Sequence, residues 1–186
     1  VGPMPRETGY ELPSAGRILE KARVPRIVAG RFRTLEEADQ ALREGVSDMV
    51  SMVRAQIADP FIIAKTQAGR VEEVRPCLGC NQGCTGGLWR EGRLGCTVNP
   101  TVSSEGTYSE TLIARAADAR RVIVVGGGPA GMEAARVAAL KGHAVTLFEA
   151  SPTLGGQVRI ASMVPRLAGL AVVVYWQEQA LYRLGV

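Results

Sequence analysis

Four cysteines, Cys77, Cys80, Cys84 and Cys96, constrain this chain more than any other feature. They are its only cysteines, and their spacing is C-x2-C-x3-C-x11-C. Three thiols on one short loop and a fourth further along can gather around a metal centre. Structural zinc sites usually divide four ligands into two pairs. A three-plus-one division with no histidine nearby suits an iron–sulfur cluster, in which one loop takes three corners and a remote thiolate the fourth. Spacing favours a 4Fe–4S cluster and leaves zinc open; a pair of disulfides is the remaining alternative. Arg75, Arg90 and Arg93 lie close enough in sequence to offset cluster charge, or are simply solvated surface.

The cysteine block separates two stretches of different pattern. Residues 1–69 alternate short helices and apolar runs. The sequence predicts a helix over Ser14–Ala22, then a buried strand at Arg26–Ala29 ending in Gly30. Thr34 and Glu37 have the spacing of a capping box, starting a helix that runs to Arg43 and stops at Gly45. Asp48–Met52 is a second strand. Asp59 as N-cap and Pro60 at the first helical position start another helix. Short buried strands alternating with helices suit the end of a (β/α)8 barrel. Two strands cannot close a barrel, and the chain has no initiator Met, so an internal piece of a longer protein is expected. Glycine-rich residues 70–100 predict a tightly wound cysteine loop with little regular structure. Residues 101–119 read as a polar connector with a helical patch near Glu110–Ala117.

Residues 120–186 read as the first half of a Rossmann-like dinucleotide-binding domain. A buried strand, Val122–Val125, runs directly into Gly126-Gly127-Gly128-Pro129-Ala130-Gly131, which opens an Ala-rich helix reaching Lys141. Gly126, Gly128 and Gly131 form G-x-G-x-x-G in the strand-to-helix context that the motif requires. Gly126 allows the turn, Gly128 lets a pyrophosphate approach, and Gly131 lets helix and strand pack closely. Pro129 and Ala130 lie at the helix start, where free N–H groups favour phosphate. Ala144–Glu149 is the next strand, and Glu149 is placed to accept ribose hydroxyls. The pattern does not separate FAD from NAD. Gly156 and Gln157 resemble a second nucleotide-contacting stretch and tilt the reading to FAD. Leu167–Leu184 reads as helix, although Ala171–Val174 also fits a strand.

Hydrophobic residues make up 46% of the chain, enough for a substantial core, and a net charge of +4 is spread along it. That balance gives no reason to expect nucleic acid or an anionic membrane as partner. No apolar run approaches the roughly 20 residues of a membrane span. Clustered cysteines without a secretory context point to a cytoplasmic protein.

Taken in order, Asp48-Met49-Val50-Ser51-Met52, Ala58-Asp59-Pro60, Arg75-Pro76-Cys77-Leu78-Gly79-Cys80-Asn81-Gln82-Gly83-Cys84, Cys96-Thr97-Val98-Asn99-Pro100 and the glycine fingerprint resemble the 2,4-dienoyl-CoA reductase / trimethylamine dehydrogenase family, and N-methylproline-demethylase-like members in particular. The resemblance covers nearly the whole chain. It implies an old-yellow-enzyme-like FMN barrel, a 4Fe–4S cluster on Cys77, Cys80, Cys84 and Cys96, and FAD- and NAD(P)-binding folds. It implies that Gly30 and Arg31, with Val53 and Arg54 at the next strand, hold the FMN phosphate. Relatives place a small residue where Val53 stands. Electrons would pass between NAD(P)H/FAD and FMN through the cluster, to reduce an enoyl or dienoyl substrate or to demethylate an N-methyl amine oxidatively. The partners would be a small-molecule substrate and an external electron acceptor. The family's barrel proton donors, a Tyr and a His, fall upstream of Val1, so catalytic residues are unknown here. Tyr10 is licensed by no motif, His143 reads as a turn residue, and Trp89 and Trp176 read as packing residues. The competing readings are a zinc-stapled nucleotide-binding module without redox activity and a fragment inactive by itself.

Overall fold

A computed structural model describes Gly2 and Met4–Val186; Val1 and Pro3, part of the expected opening loop, lie outside the described residues. The chain divides into two compact units, 1–102 and 103–186.

The first unit opens with α1 (Leu12–Leu19), β1 (Ile27–Ala29), α2 (Leu35–Arg43) and β2 (Met49–Ser51). β1 and β2 pair in parallel, with Val28 opposite Val50. Helix α2 begins at the anticipated capping box. The Thr34 hydroxyl accepts from the Glu37 N–H, and the Glu37 carboxylate accepts from the Thr34 N–H. It ends where Gly45 adopts φ +70°. Val28, Phe32 and Ala41 form the core beneath the strands, joined by Leu12, Leu19 and Val50. The strands are less enclosed than their composition suggests: Val28 is buried, but Ile27 and Met49 are exposed. A parallel pair alternates its side chains between two faces, and in this chain α1 and α2 residues cover one of them.

Two differences from the sequence reading matter for the site. A short helix, α3 (Val53–Ala58), follows β2 immediately, so Val53 and Arg54 belong to a helical turn rather than a loop. The next helix, α4 (Ile62–Gln67), starts later than the Asp-Pro pair implies. Asp59 still serves it, accepting from the Phe61 N–H at 2.9 Å.

The cysteine segment is also more regular than its glycine content suggests. A wide turn over Gln82–Gly86 closes with Gly86 N–H donating to the Asn81 carbonyl at 2.7 Å, and α5 (Gly87–Glu91) continues from it. The glycines here bring two limbs of chain together. A Cβ on Gly83 would lie 2.8 Å from the Cys96 nitrogen, and Gly95 N–H donates to the Gly83 carbonyl at 2.9 Å. Such an approach needs a residue without a side chain.

The second unit starts with α6 (Glu105–Tyr108) and a single tight turn at Glu110–Leu112, so the helical patch lies earlier than anticipated. Then come β3 (Arg121–Val125), α7 (Pro129–Leu140) and β4 (Ala144–Phe148), with β3 and β4 parallel and in register from Arg121–Ala144 to Val125–Phe148. One face of this pair meets α7, through Val124 near Gly131. The other presents Ile123, Val125 and Phe148 to solvent, so β3 is half-covered rather than buried. Helix α8 (Gly156–Ala161) leads through a tight turn at Pro165–Leu170 to α9 (Ala171–Leu184). Ala171–Val174 is therefore helical. α9 packs on α7, burying Val173, Val174, Trp176, Ala180 and Leu181. Arg136 is buried between them, held by Glu110 and Glu133 and lying over the Trp176 ring.

Candidate functional site

The structure brings together the residues singled out in each unit. In the first, Cys77, Cys80, Cys84 and Cys96 line one small cavity with Leu78, Gly79 and Val98. All four are half-buried free thiols. The Gly79 N–H donates to Cys77 Sγ at 3.4 Å, and Cys80 Sγ lies 3.3 Å from the Thr97 hydroxyl. Burial pushes the Cys77 and Cys96 thiols up, and backbone donors oppose it: Gly79 at Cys77, Val98 and Asn99 at Cys96. Among the described residues, no group of three or more His, Cys, Asp or Glu side chains is arranged to hold a metal ion. The four thiols face one shared space.

The walls of this cavity are fixed by polar groups that the cysteine spacing does not reveal. Arg75 is buried. Its guanidinium donates to the Val98 carbonyl and its N–H to the Asp59 carboxylate at 2.8 Å. Asp59 is also buried and pairs with Lys65 at 2.6 Å. Asn99 donates to the Ile57 carbonyl at 3.0 Å. These bonds tie both limbs of the cysteine segment to α3 and α4. The signal was present in the run Asp59-Pro60 and in Arg75 itself, but it takes a fold to connect them. Arg90 and Arg93 are exposed, with Arg90 donating to the Gly86 carbonyl.

A larger cavity of about 410 Å³ adjoins the first, sharing Arg54, Ile57 and Cys84 with it. Gly30, Arg31, Ser51, Val53 and Arg54 line it at the ends of β1 and β2, with Tyr10 and Glu11 on the rim. The sequence-predicted phosphate residues therefore come together. Arg31 adopts φ +62°, and its buried Nε has no hydrogen-bond partner. Its pKa is lowered by burial first and then by the like charges of Arg33 and Arg54. An unpartnered donor among crowded cations fits an anion. Tyr10 donates to Glu11, which raises the phenol's pKa. Trp89 also lines this cavity yet is 84% exposed, so it does not pack as anticipated. Its helix α5 turns that side chain outward.

In the second unit the glycine fingerprint folds as its spacing requires. Gly126 has φ +103°, and a Cβ on Gly131 would collide with the Gly126 carbonyl oxygen. A Cβ on Gly128 would meet open space, the approach a diphosphate uses. Pro129 and Ala130 begin α7. Glu149 turns back on the loop, accepting from Gly127 N–H at 2.6 Å and Ser151 N–H at 2.8 Å. These donors, Ser151 foremost, hold its carboxyl below the usual carboxylate range. Gly156 sits against Gly128, and Gly155 N–H donates to the Gly127 carbonyl. Gln157 is exposed one residue further on. His143 accepts from Arg120 N–H in the turn before β4, a structural task. Trp176 is buried, as anticipated.

Comparison with known proteins agrees with this geometry. Residues 121–181 match the FAD dependent oxidoreductase family. NADH oxidase of Thermoanaerobacter brockii is 44% identical over 181 residues, 97% of this chain and 28% of its own length. A multifunctional alkene reductase/demethylase OYE of Caballeronia cordobensis is 41% identical over 175 residues, 94% of this chain and 25% of that protein. The structure of histamine dehydrogenase from Rhizobium sp. 4-9 superposes with a TM-score of 0.91 at 36% identity, covering 98% of this chain and 27% of that one. The chain falls among the flavin-dependent oxidoreductases. More particularly, the chain belongs to the 2,4-dienoyl-CoA reductase / trimethylamine dehydrogenase family of old-yellow-enzyme-like reductases and amine dehydrogenases. It spans only about a quarter of the length of the relatives it matches.

Proposed function

We propose that this chain carries the cofactor-holding centre of a flavin- and iron–sulfur-dependent oxidoreductase. On this reading 1–69 is the end of an FMN-binding (β/α)8 barrel and 70–100 the cluster loop. A connector, 101–119, leads to 120–186, the first half of a Rossmann-like FAD-binding domain. One observation carries the reading: four thiols face a single cavity, and its neighbour, sharing Arg54 and Cys84, is lined by Arg31, whose buried Nε has no hydrogen-bond partner.

Cys77, Cys80, Cys84 and Cys96 would hold a 4Fe–4S cluster. The three-plus-one spacing of the thiols suits a four-iron core better than the paired ligands of one zinc ion. Such a cluster supplies one-electron transfer when bound. Gly79 N–H and the Thr97 hydroxyl stand beside ligand sulfurs, where hydrogen bonds tune a centre's potential. Arg31 and Arg54 would hold the FMN phosphate, with Gly30 and Val53 forming the adjacent wall. Gly126, Gly128, Pro129, Ala130 and Gly131 would cradle the FAD diphosphate. Glu149 would take the ribose, and Gly156 and Gln157 would close the nucleotide side. Flavins exchange electrons singly or as hydride, which lets them exchange with both a nicotinamide and a cluster. The chain's own residues hold, orient and electrostatically balance these groups.

The substrate class is an enoyl or dienoyl compound to be reduced, or an N-methyl amine to be demethylated, with NAD(P)H or an external acceptor as the redox partner. The relatives' names span both kinds of chemistry. No helix among the described residues is long and apolar enough to cross a membrane. Metal and flavin analysis of the full-length protein, purified anaerobically, tests the assignment. The expected result is about four iron and four labile sulfides per chain with both FMN and FAD, the iron falling sharply in Cys80→Ser. Zinc in place of iron, or iron unaffected by that change, would overturn it.

A further inference from the structure

The two arginines at the strand ends do more than face the larger cavity. Arg31 lies against the cysteine loop so closely that a Cβ on Gly79 would fall 2.5 Å from its Nη2. Arg54 Nη1 donates to the side-chain oxygen of Asn81 and to the Gly2 carbonyl. Gly79 and Asn81 are the chain neighbours of Cys80 on either side. Both have left-handed backbone, φ +63° and +60°, a conformation that glycine and, among residues with a side chain, asparagine adopt most readily. Each also governs another ligand. Gly79 donates its N–H to Cys77 Sγ, and the Asn81 carbonyl closes the wide turn that carries Cys84. The nitrogen that approaches Gly79 donates to the Met4 carbonyl, so Arg31 bears on Gly79 by close approach and Arg54 on Asn81 by a hydrogen bond; through these two residues they reach three of the four thiols.

We propose that Arg31 and Arg54 are positioning residues shared by the two cavities. They couple binding of a phosphate monoester in the larger one to closure of the cysteine loop around its iron–sulfur core, so that each occupant binds more tightly when the other is present. This rests on the assignment of FMN phosphate and cluster made above. A phosphate that fixes the two guanidinium groups also fixes Gly79 and Asn81, and so presets Cys77, Cys80 and Cys84. A loop closed on its core holds the same groups in place for the phosphate. Charge alone would act in the opposite direction, since two anionic occupants share these cations. The Arg54–Asn81 hydrogen bond is direct and partly buried and Arg31 lies close against Gly79, whereas the charge effect is screened across an open cavity. Cooperative coupling wins, and by linkage it is equal in both directions.

The test uses full-length protein, iron-loaded or stripped with a chelator. FMN and riboflavin are titrated by flavin fluorescence, riboflavin being the probe without phosphate. Stripping iron is expected to weaken FMN binding about fivefold or more and riboflavin binding much less. Asn81→Gly keeps the left-handed turn but removes the amide, and should abolish most of that difference. Asn81→Asp keeps an acceptor for Arg54 and should retain it. Reciprocally, FMN should slow iron loss to the chelator in the parent protein and not in Asn81→Gly. An FMN affinity that is unchanged or tighter without iron overturns the proposal and leaves the cofactor assignment standing. Equal binding of FMN and riboflavin in iron-loaded protein, or absence of iron, removes the premise and the proposal together.

Discussion

The cysteine segment and the glycine fingerprint use the same amino acid for opposite purposes. In the fingerprint, glycine serves one regular unit: a strand must turn sharply into a helix, Gly126 takes φ +103°, and Gly131 lets the helix sit on that turn. In the cysteine segment, Gly83 lies in the wide turn over Gln82–Gly86 and serves a contact between two limbs of chain. It lets a chain limb bearing three thiols touch a limb bearing the fourth. The first site is held by a β-α-β ladder. The second is held by side chains reaching from elsewhere, Arg75 to Val98, Asn99 to Ile57 and Arg54 to Asn81. A ladder site can be recognised from a local pattern, whereas a strapped site depends on partners dispersed through the sequence.

Reciprocal substitutions should break this contrast most forcefully. Gly83→Ala drives a methyl against the Cys96 backbone and should weaken iron retention on the order of 10–100-fold while leaving FAD content intact. Gly131→Ala should do the reverse, costing about 1–3 kcal/mol through overpacking and losing FAD while iron stays. Metal and flavin analysis of both variants reads the result, and loss of both cofactors from either one would show the sites are not separately held.

Next in size is the strap itself. Arg75→Met leaves the Val98 carbonyl without its guanidinium donor, at a cost of about 1–3 kcal/mol. The expected outcome is a lower urea midpoint and faster release of iron to a chelator.

The smallest effect is on the acid side of the fingerprint. Glu149 has its pKa lowered in the folded chain by Ser151 and Gly127 N–H groups. Its stabilising contribution is complete above its ordinary value of 4.5 and disappears as pH falls through the lower folded value. Glu149→Gln should therefore trail the parent protein at neutral pH and converge with it in acid, as followed by circular dichroism melts across that range.

Legibility in the sequence follows the same division. The capping box at Thr34, the β3–α7–β4 order and the gathering of the cysteines were all open to reading, because each rests on contacts between near neighbours or on one residue type. Helix α3 escaped because Val53 and Arg54 follow a strand without a capping residue: Met52 offers no side-chain acceptor. The wide turn and α5 were hidden by glycines, whose propensity argues against helix while their small size permits the packing found here. The outward face of β3 escaped because Val122–Val125 is uniformly apolar, and an apolar run does not say which side is covered. Arg75 could be placed beside the cysteines, but its link to Asp59 and Val98 joins positions separated by 16 and 23 residues.

The position of the two indole rings gives the molecule its own pair of optical reporters. The chain has two tryptophans, one per compact unit. Trp89 is 84% exposed at the edge of the arginine-lined cavity, and Trp176 is 8% exposed beneath a guanidinium. Excited together, they should emit as a red component that an iron centre or flavin nearby quenches and a blue component that persists until the dinucleotide unit melts. Within this stretch of chain, one ring then reports on the first unit and the other on the second, without a label.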